Sequence, residues 1–114
     1  MNVIECYGLI GDYKDVSNRL PNDALIKKFL GKFTQDQSFG ELKAALEAED
    51  TENAFRAAHT LKGVCANLSI TNLGADVIEI TEKLRGGNLD EARKLFPQAE
   101  EKYRMTMEAI AKLD

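Results

Sequence analysis

The chain has one histidine, His59, in the run Ala58-His59-Thr60-Leu61-Lys62-Gly63. A neutral imidazole nitrogen can attack an activated phosphoryl group to form a covalent phosphohistidine, and the reverse transfer regenerates the free ring. Such chemistry asks little else of the protein, because a loose phosphoryl transition state is served mainly by positioning and charge compensation. Lys62 supplies a cation one helical turn ahead, suited to offset negative charge on the transferred group; the bland alternative is a solvated lysine. Arg56, one turn behind, is a weaker candidate for the same part. Gly63 costs ~1 kcal/mol against alanine inside a helix, so it needs a reason. With Ala66 beyond it, Gly63 leaves the space over the imidazole open to another protein's surface; the other use of such a glycine, tight helix packing, is available only on a buried face.

On a helical wheel of ~100° per residue, Ala54, Ala57, Leu61, Val64, Cys65 and Leu68 gather on one side of the stretch from Thr51 to about Asn67. That side faces the core. His59 falls roughly 160° from the centre of this stripe, which predicts an imidazole pointing at solvent. Phe55 shares the nominally exposed face, where an aromatic side chain either touches a partner or is covered by an extra element such as an N-terminal helix. Arg56 and Asn67 join Phe55 as candidate partner contacts.

The rest of the composition excludes several classes of function. The 15 basic and 19 acidic residues leave no basic excess for nucleic-acid phosphates. Cys6 and Cys65 are too few and too far apart for a zinc site or a disulfide framework, and they read as reduced thiols. No metal site is expected, because His59 has no histidine partner and the carboxylates lack the inward Glu-x-x-His pattern of di-metal bundles. A glycine-rich nucleotide loop is absent. The N-terminus lacks the basic start and apolar run of a leader, and no stretch of about 18 apolar residues occurs, so a cytoplasmic protein without membrane spans is expected.

The elements that must position His59 are helical almost throughout, and the alternating pattern of a strand is missing. Asn2 to about Ile10 and Tyr13 to Leu20 are short helices stopped by Gly11 and Pro21. Asn22 caps the next, with Leu25, Phe29 and Phe33 as its core stripe, and the polar stretch Thr34 to Ser38 predicts a break. Ser38 with Glu41 fits a capping box ahead of Leu42, Ala45 and Leu46. Thr51 and Thr71 are the expected caps of the following two helices, the second carrying Leu73, Val77, Ile80 and Leu84 to the stop at Gly86-Gly87. Asn88 with Glu91 opens a last long helix with apolar positions from Leu89 to Leu113, kinked at Pro97. Short connections favour antiparallel neighbours. The expected architecture is all-α: an antiparallel up-and-down four-helix bundle over 22–114 with short N-terminal cap helices in 1–21, all one domain.

The run Ala58-His59-Thr60-Leu61-Lys62-Gly63-Val64-Cys65-Ala66-Asn67-Leu68 resembles the signature of the histidine-containing phosphotransfer (HPt) domain family. A weaker likeness extends from about Ala24 to Ile110, through the order of helices, the Gly86-Gly87 stop and the long final helix. The resemblance implies a four-helix bundle whose exposed histidine takes a phosphoryl group from one receiver-domain aspartate and gives it to another. Carried over by position, His59 is the phospho-acceptor, Lys62 the charge-compensating lysine and Gly63 the clearance glycine. Ser69 departs from the family pattern, which often has glycine there.

The expected function is therefore a cytoplasmic phosphorelay intermediate of two-component signal transduction, a phosphoprotein without kinase machinery or cofactor of its own; magnesium is expected only on the partner. The expected partners are response-regulator receiver domains, with a hybrid sensor histidine kinase as a further candidate, and neither nucleic acid nor membrane. The alternative is a pseudo-HPt interaction module that docks a receiver or kinase without covalent chemistry. The cognate receiver, the direction of flow and the oligomeric state are not encoded in any motif.

Overall fold

Most of the helices begin where a short polar side chain takes up the free backbone donors. The structure, a computed structural model, describes residues 1–114. Seven helices follow one another without a strand: α1 (Val3–Ile10), α2 (Tyr13–Arg19), α3 (Asp23–Phe33), α4 (Ser38–Glu47), α5 (Thr51–Asn67), α6 (Thr71–Arg85) and α7 (Leu89–Ala111). Asn2 and Glu5 form a reciprocal capping box on α1, and Asp12, Asn22, Asp50 and Asn88 accept from the backbone three residues on. No helix is long and apolar enough to cross a membrane.

Three of the expected caps are corrected. Ser38 does not cap α4: Asp36 accepts both its N–H, at 2.9 Å, and its hydroxyl, and draws the buried Ser38 into the first turn. Asp50, not Thr51, caps α5, because its carboxylate takes the Asn53 N–H at 3.1 Å and the Asn53 side-chain amide at 2.6 Å. Thr71 does not cap α6 either. Ile70 occupies the cap position with its own N–H turned back to Cys65 at 2.9 Å, so the reversal is too tight for a side-chain cap. The core stripe of α3 is also shifted: Ile26, Leu30 and Phe33 are buried, whereas Leu25 and Phe29 are half-buried. Positions spaced four and then three stay closer to one line on a helix than the four-and-four row read from the sequence.

Helices α4, α5 and α6 end in the same way. The residue two past each helix has a positive φ: Glu49 at 55°, Ser69 at 53° and Gly87 at 77°. In each case the next N–H reaches back to the helix, Asp50 to Ala45, Ile70 to Cys65 and Asn88 to Lys83, at 2.9, 2.9 and 2.8 Å. These are Schellman turns. They join consecutive helices through very short connections, so α4, α5, α6 and α7 pack in chain order, each antiparallel to the next.

Helix α4 meets α7 through aromatic rings, Phe39 lying on Tyr103 at 3.9 Å with 3° between planes, and through the Lys43–Glu100 ion pair at 2.7 Å. Helix α7 runs through Pro97, which sits on its exposed side. One core of 28 residues includes Val3, Cys6, Tyr7 and Ile10 of α1 and Val16 of α2. The short N-terminal helices are therefore built into the same interior. Tyr7 donates to the Leu68 carbonyl at 2.8 Å, Asn72 donates to that of Leu9 at 2.7 Å, and the Met1 ammonium meets Asp114 at 3.0 Å. The whole is a rod of 40 × 23 × 20 Å.

Candidate functional site

Helix α5 is clamped between α4 and α6. Its inner face carries Ala54, Ala57, Ala58, Leu61 and Cys65, all buried, and small residues there let the flanking helices come close. The wheel stripe holds with two amendments: Ala58 is buried as well, and Val64 is only half-buried, at the edge. The opposite face puts His59, Thr60, Gly63, Ala66 and Asn67 in solvent. A Cβ built on Gly63 would meet nothing within 4 Å, so this glycine serves no packing contact inside the protein.

Around the imidazole, the expected site residues fall into three groups. Lys62 is half-buried on the α6 side of His59, along a depression it shares with Ala66, Ile78 and Asp15. Arg56 is exposed but committed to Glu52 at 2.5 Å, one turn back on the same helix. Asn67 lies two turns from His59, in a groove shared with Phe29, Lys32 and Val64, and its carbonyl accepts from Arg19 Nε at 3.2 Å. The expected site residues thus share one face, with Asn67 at its far end.

Phe55 is not covered by an N-terminal helix, the second of its two expected settings. It is half-buried, with its ring 5.8 Å from the imidazole and tilted 35° to it. Its cover is Arg85 of α6, whose Cζ stands 5.0 Å over the ring, and not an N-terminal helix. Arg85 is in turn held by Glu82 through Nε at 2.9 Å. That hydrogen bond, followed by the charges of Arg85 and Lys62, holds the Glu82 carboxyl below its ordinary value against desolvation.

Arg85 and Glu82 carry no mark in the linear sequence that ties them to His59, because they sit in a different helix far along the chain. The signal that would have found them is the hairpin geometry of α5 and α6. Counting outward from Ile70 in both directions brings Phe55 opposite Arg85 and Lys62 opposite Ile78, and both pairs are observed as neighbours. The same count sets His59 level with Thr81, which is buried; the exposed Glu82 comes one residue later, opposite Ala58.

Ser69 lies at the far end of α5, where its positive φ of 53° explains why glycine would suit the position. Serine is retained by its hydroxyl, which donates to Asp15 at 2.7 Å and accepts from Arg19. The Ser69 hydrogen bond, followed by that of Arg19, holds the Asp15 carboxyl below its ordinary value. Arg19 also donates to the Ala66 carbonyl at 3.0 Å, so α2 secures the last turn of the histidine helix.

No group of three or more His, Cys, Asp or Glu side chains comes together as a metal site. The arrangement offers one exposed nucleophilic imidazole, open space beside it and cations within the same patch. Comparison with curated proteins and with solved structures returned no match. The family model of the Hpt domain matches residues 26–112, from the second turn of α3 to the end of α7. On that match, which takes in the whole histidine helix and both its neighbours, the chain belongs to the Hpt-domain family.

Proposed function

We propose that His59 accepts a phosphoryl group from the aspartate of one receiver domain and passes it to that of another. Hpt domains serve histidine phosphotransfer in phosphorelay signalling, as carriers that work with receiver domains and kinases. The observation that carries the reading to a residue is the exposed imidazole on the outer face of α5 beside the empty space at Gly63. In the transfer, the unprotonated imidazole nitrogen forms an N–P bond as the P–O bond to the aspartyl carboxylate breaks, and the other ring nitrogen keeps its proton. Lys62 offsets charge on the bound group. Gly63 and Ala66 admit the visiting surface, and Phe55, Arg56 and Asn67 border the contact area. The partner's magnesium supplies the remaining charge compensation, so the chain needs no cofactor of its own. A hybrid sensor kinase is a further partner of this kind. We take the compartment to be the cytoplasm, in keeping with two free, buried cysteines.

Incubation with a phosphorylated receiver tests the reading. The parent protein is expected to gain an acid-labile, base-stable phosphate, and His59→Gln to gain none above background. Equal labelling of His59→Gln would remove His59 as acceptor, and an unlabelled parent would leave a docking module without covalent chemistry. Labelled ATP alone should give no phosphorylation.

A further inference from the structure

The His59 patch has more positive charge within reach than Lys62 alone, and the extra cation comes from α6. A phosphoryl group brings up to about two negative charges. Lys62 balances one. Arg56 is the next cation on α5, but Glu52 already holds it at 2.5 Å. Each arginine meets its glutamate through one nitrogen, but Arg85 is held at the longer distance, 2.9 Å from Nε to Glu82, and its Cζ stands 5.0 Å over the Phe55 ring, itself 5.8 Å from the imidazole. The contact on an aromatic face is weak at an exposed site, and a bidentate bond from a guanidinium to phosphoryl oxygens is stronger.

We propose that Arg85 is a second phosphoryl-binding cation of the acceptor site, parked on Phe55 by Glu82 in the free protein and drawn to the phosphoryl group once His59 carries one. The inference rests on His59 being the acceptor. Glu82 stands one residue past the level of His59 on the hairpin, paired with Arg85 and within the field of Lys62, so in the free protein it offsets part of the positive charge beside the imidazole. After transfer it faces the new anion with like charge, which loosens its hold on Arg85. No covalent bond changes at either residue: the guanidinium exchanges one anionic partner for another as the side chain turns. The acceptor state is thereby favoured by a cation that costs the free protein no uncompensated charge.

The two α6 residues should consequently act in opposite directions. The experiment phosphorylates purified protein with phosphoramidate, follows the N–P species through the signals of the single imidazole, and then measures the equilibrium of transfer with a receiver domain. Arg85→Gln is expected to shift that equilibrium about three- to tenfold away from phosphohistidine, and Glu82→Gln to shift it toward phosphohistidine. Arg85→Lys should fall between parent and Arg85→Gln, and it replaces the Gln variant should thermal melting show a lost fold. Shifts within twofold of the parent for both residues overturn the proposal, as do shifts of the same sign, which mark a merely structural role. A parent that takes no phosphate on His59 removes the acceptor reading and this inference with it, whereas a normally labelled parent with indifferent α6 variants removes this inference alone.

Discussion

Gly63 is the residue at which stability and function should part company. A methyl group there meets open space, so Gly63→Ala is expected to raise stability by about 0.5–1 kcal/mol through helix propensity alone. Gly63→Leu would keep much of that gain while covering the approach to the imidazole. Denaturant midpoints and phosphotransfer rates measured on the same samples should therefore move in opposite directions for the leucine variant, with a transfer rate at least about tenfold down. Loss of both stability and rate would mean that Gly63 is a packing residue after all. Lys62 and Gly63 were legible in the linear chain because both belong to the same helix as His59 and the period of a helix is known in advance. Arg85 was not, since a contact across a hairpin depends on where the turn falls, and Ile70 becomes the pivot only through its bond back to Cys65.

At the scale of elements, the turn after α5 invites a direct comparison of two substitutions. Ser69→Ala keeps the unfavourable φ and loses the hydroxyl bonds to Asp15 and Arg19, so a loss of about 1–2 kcal/mol is expected. Ser69→Gly loses the same bonds but relieves the backbone by roughly 1 kcal/mol, and should melt above the alanine variant. An alanine variant as stable as the parent would show that the hydroxyl contributes nothing. Gly11 matters to the same corner for a different reason: its φ is ordinary, but an added Cβ would run into the Ser69 carbonyl oxygen. The helices themselves were readable because apolar residues recur at helical spacing over long stretches. Their first residues were read less well. Ser38, Thr51 and Thr71 all have the chemistry of caps, and the choice among neighbouring polar residues is made by the geometry of the preceding turn. At α5 Asp50 caps because its carboxylate faces the free Asn53 donor, whereas at α4 Gln37 holds the cap position without a side-chain bond and Asp36 takes only the Ser38 N–H and hydroxyl.

Across the whole molecule, the seam between the N-terminal helices and the bundle is lined with groups that must stay uncharged. Burial pushes the Cys65 thiol up to about 12 from 9.0, and it raises Cys6 and the Tyr7 phenol as well. A folded-state pKa above the unfolded one gives stability that is complete below the unfolded value and lost as pH climbs toward the folded one. The protein should therefore lose stability steadily as pH rises from about 9 toward 12, and Cys65→Ala should show a shallower fall than the parent. Urea midpoints across that range check this; parallel curves would mean that the thiol stays protonated in both states or ionises equally in both. The three groups sit on α1 and α5, so the same titration is expected to loosen the cap from the histidine helix before the α4–α7 aromatic stack gives way.

The meeting of Met1 with Asp114 has a consequence for whatever is spliced to this protein. Both ends emerge side by side along α7, which stands diagonally across the ring from α5. A fluorophore, an immobilisation handle or a neighbouring module attached at either terminus would extend from the tip of α7, on a helix other than the one that carries His59.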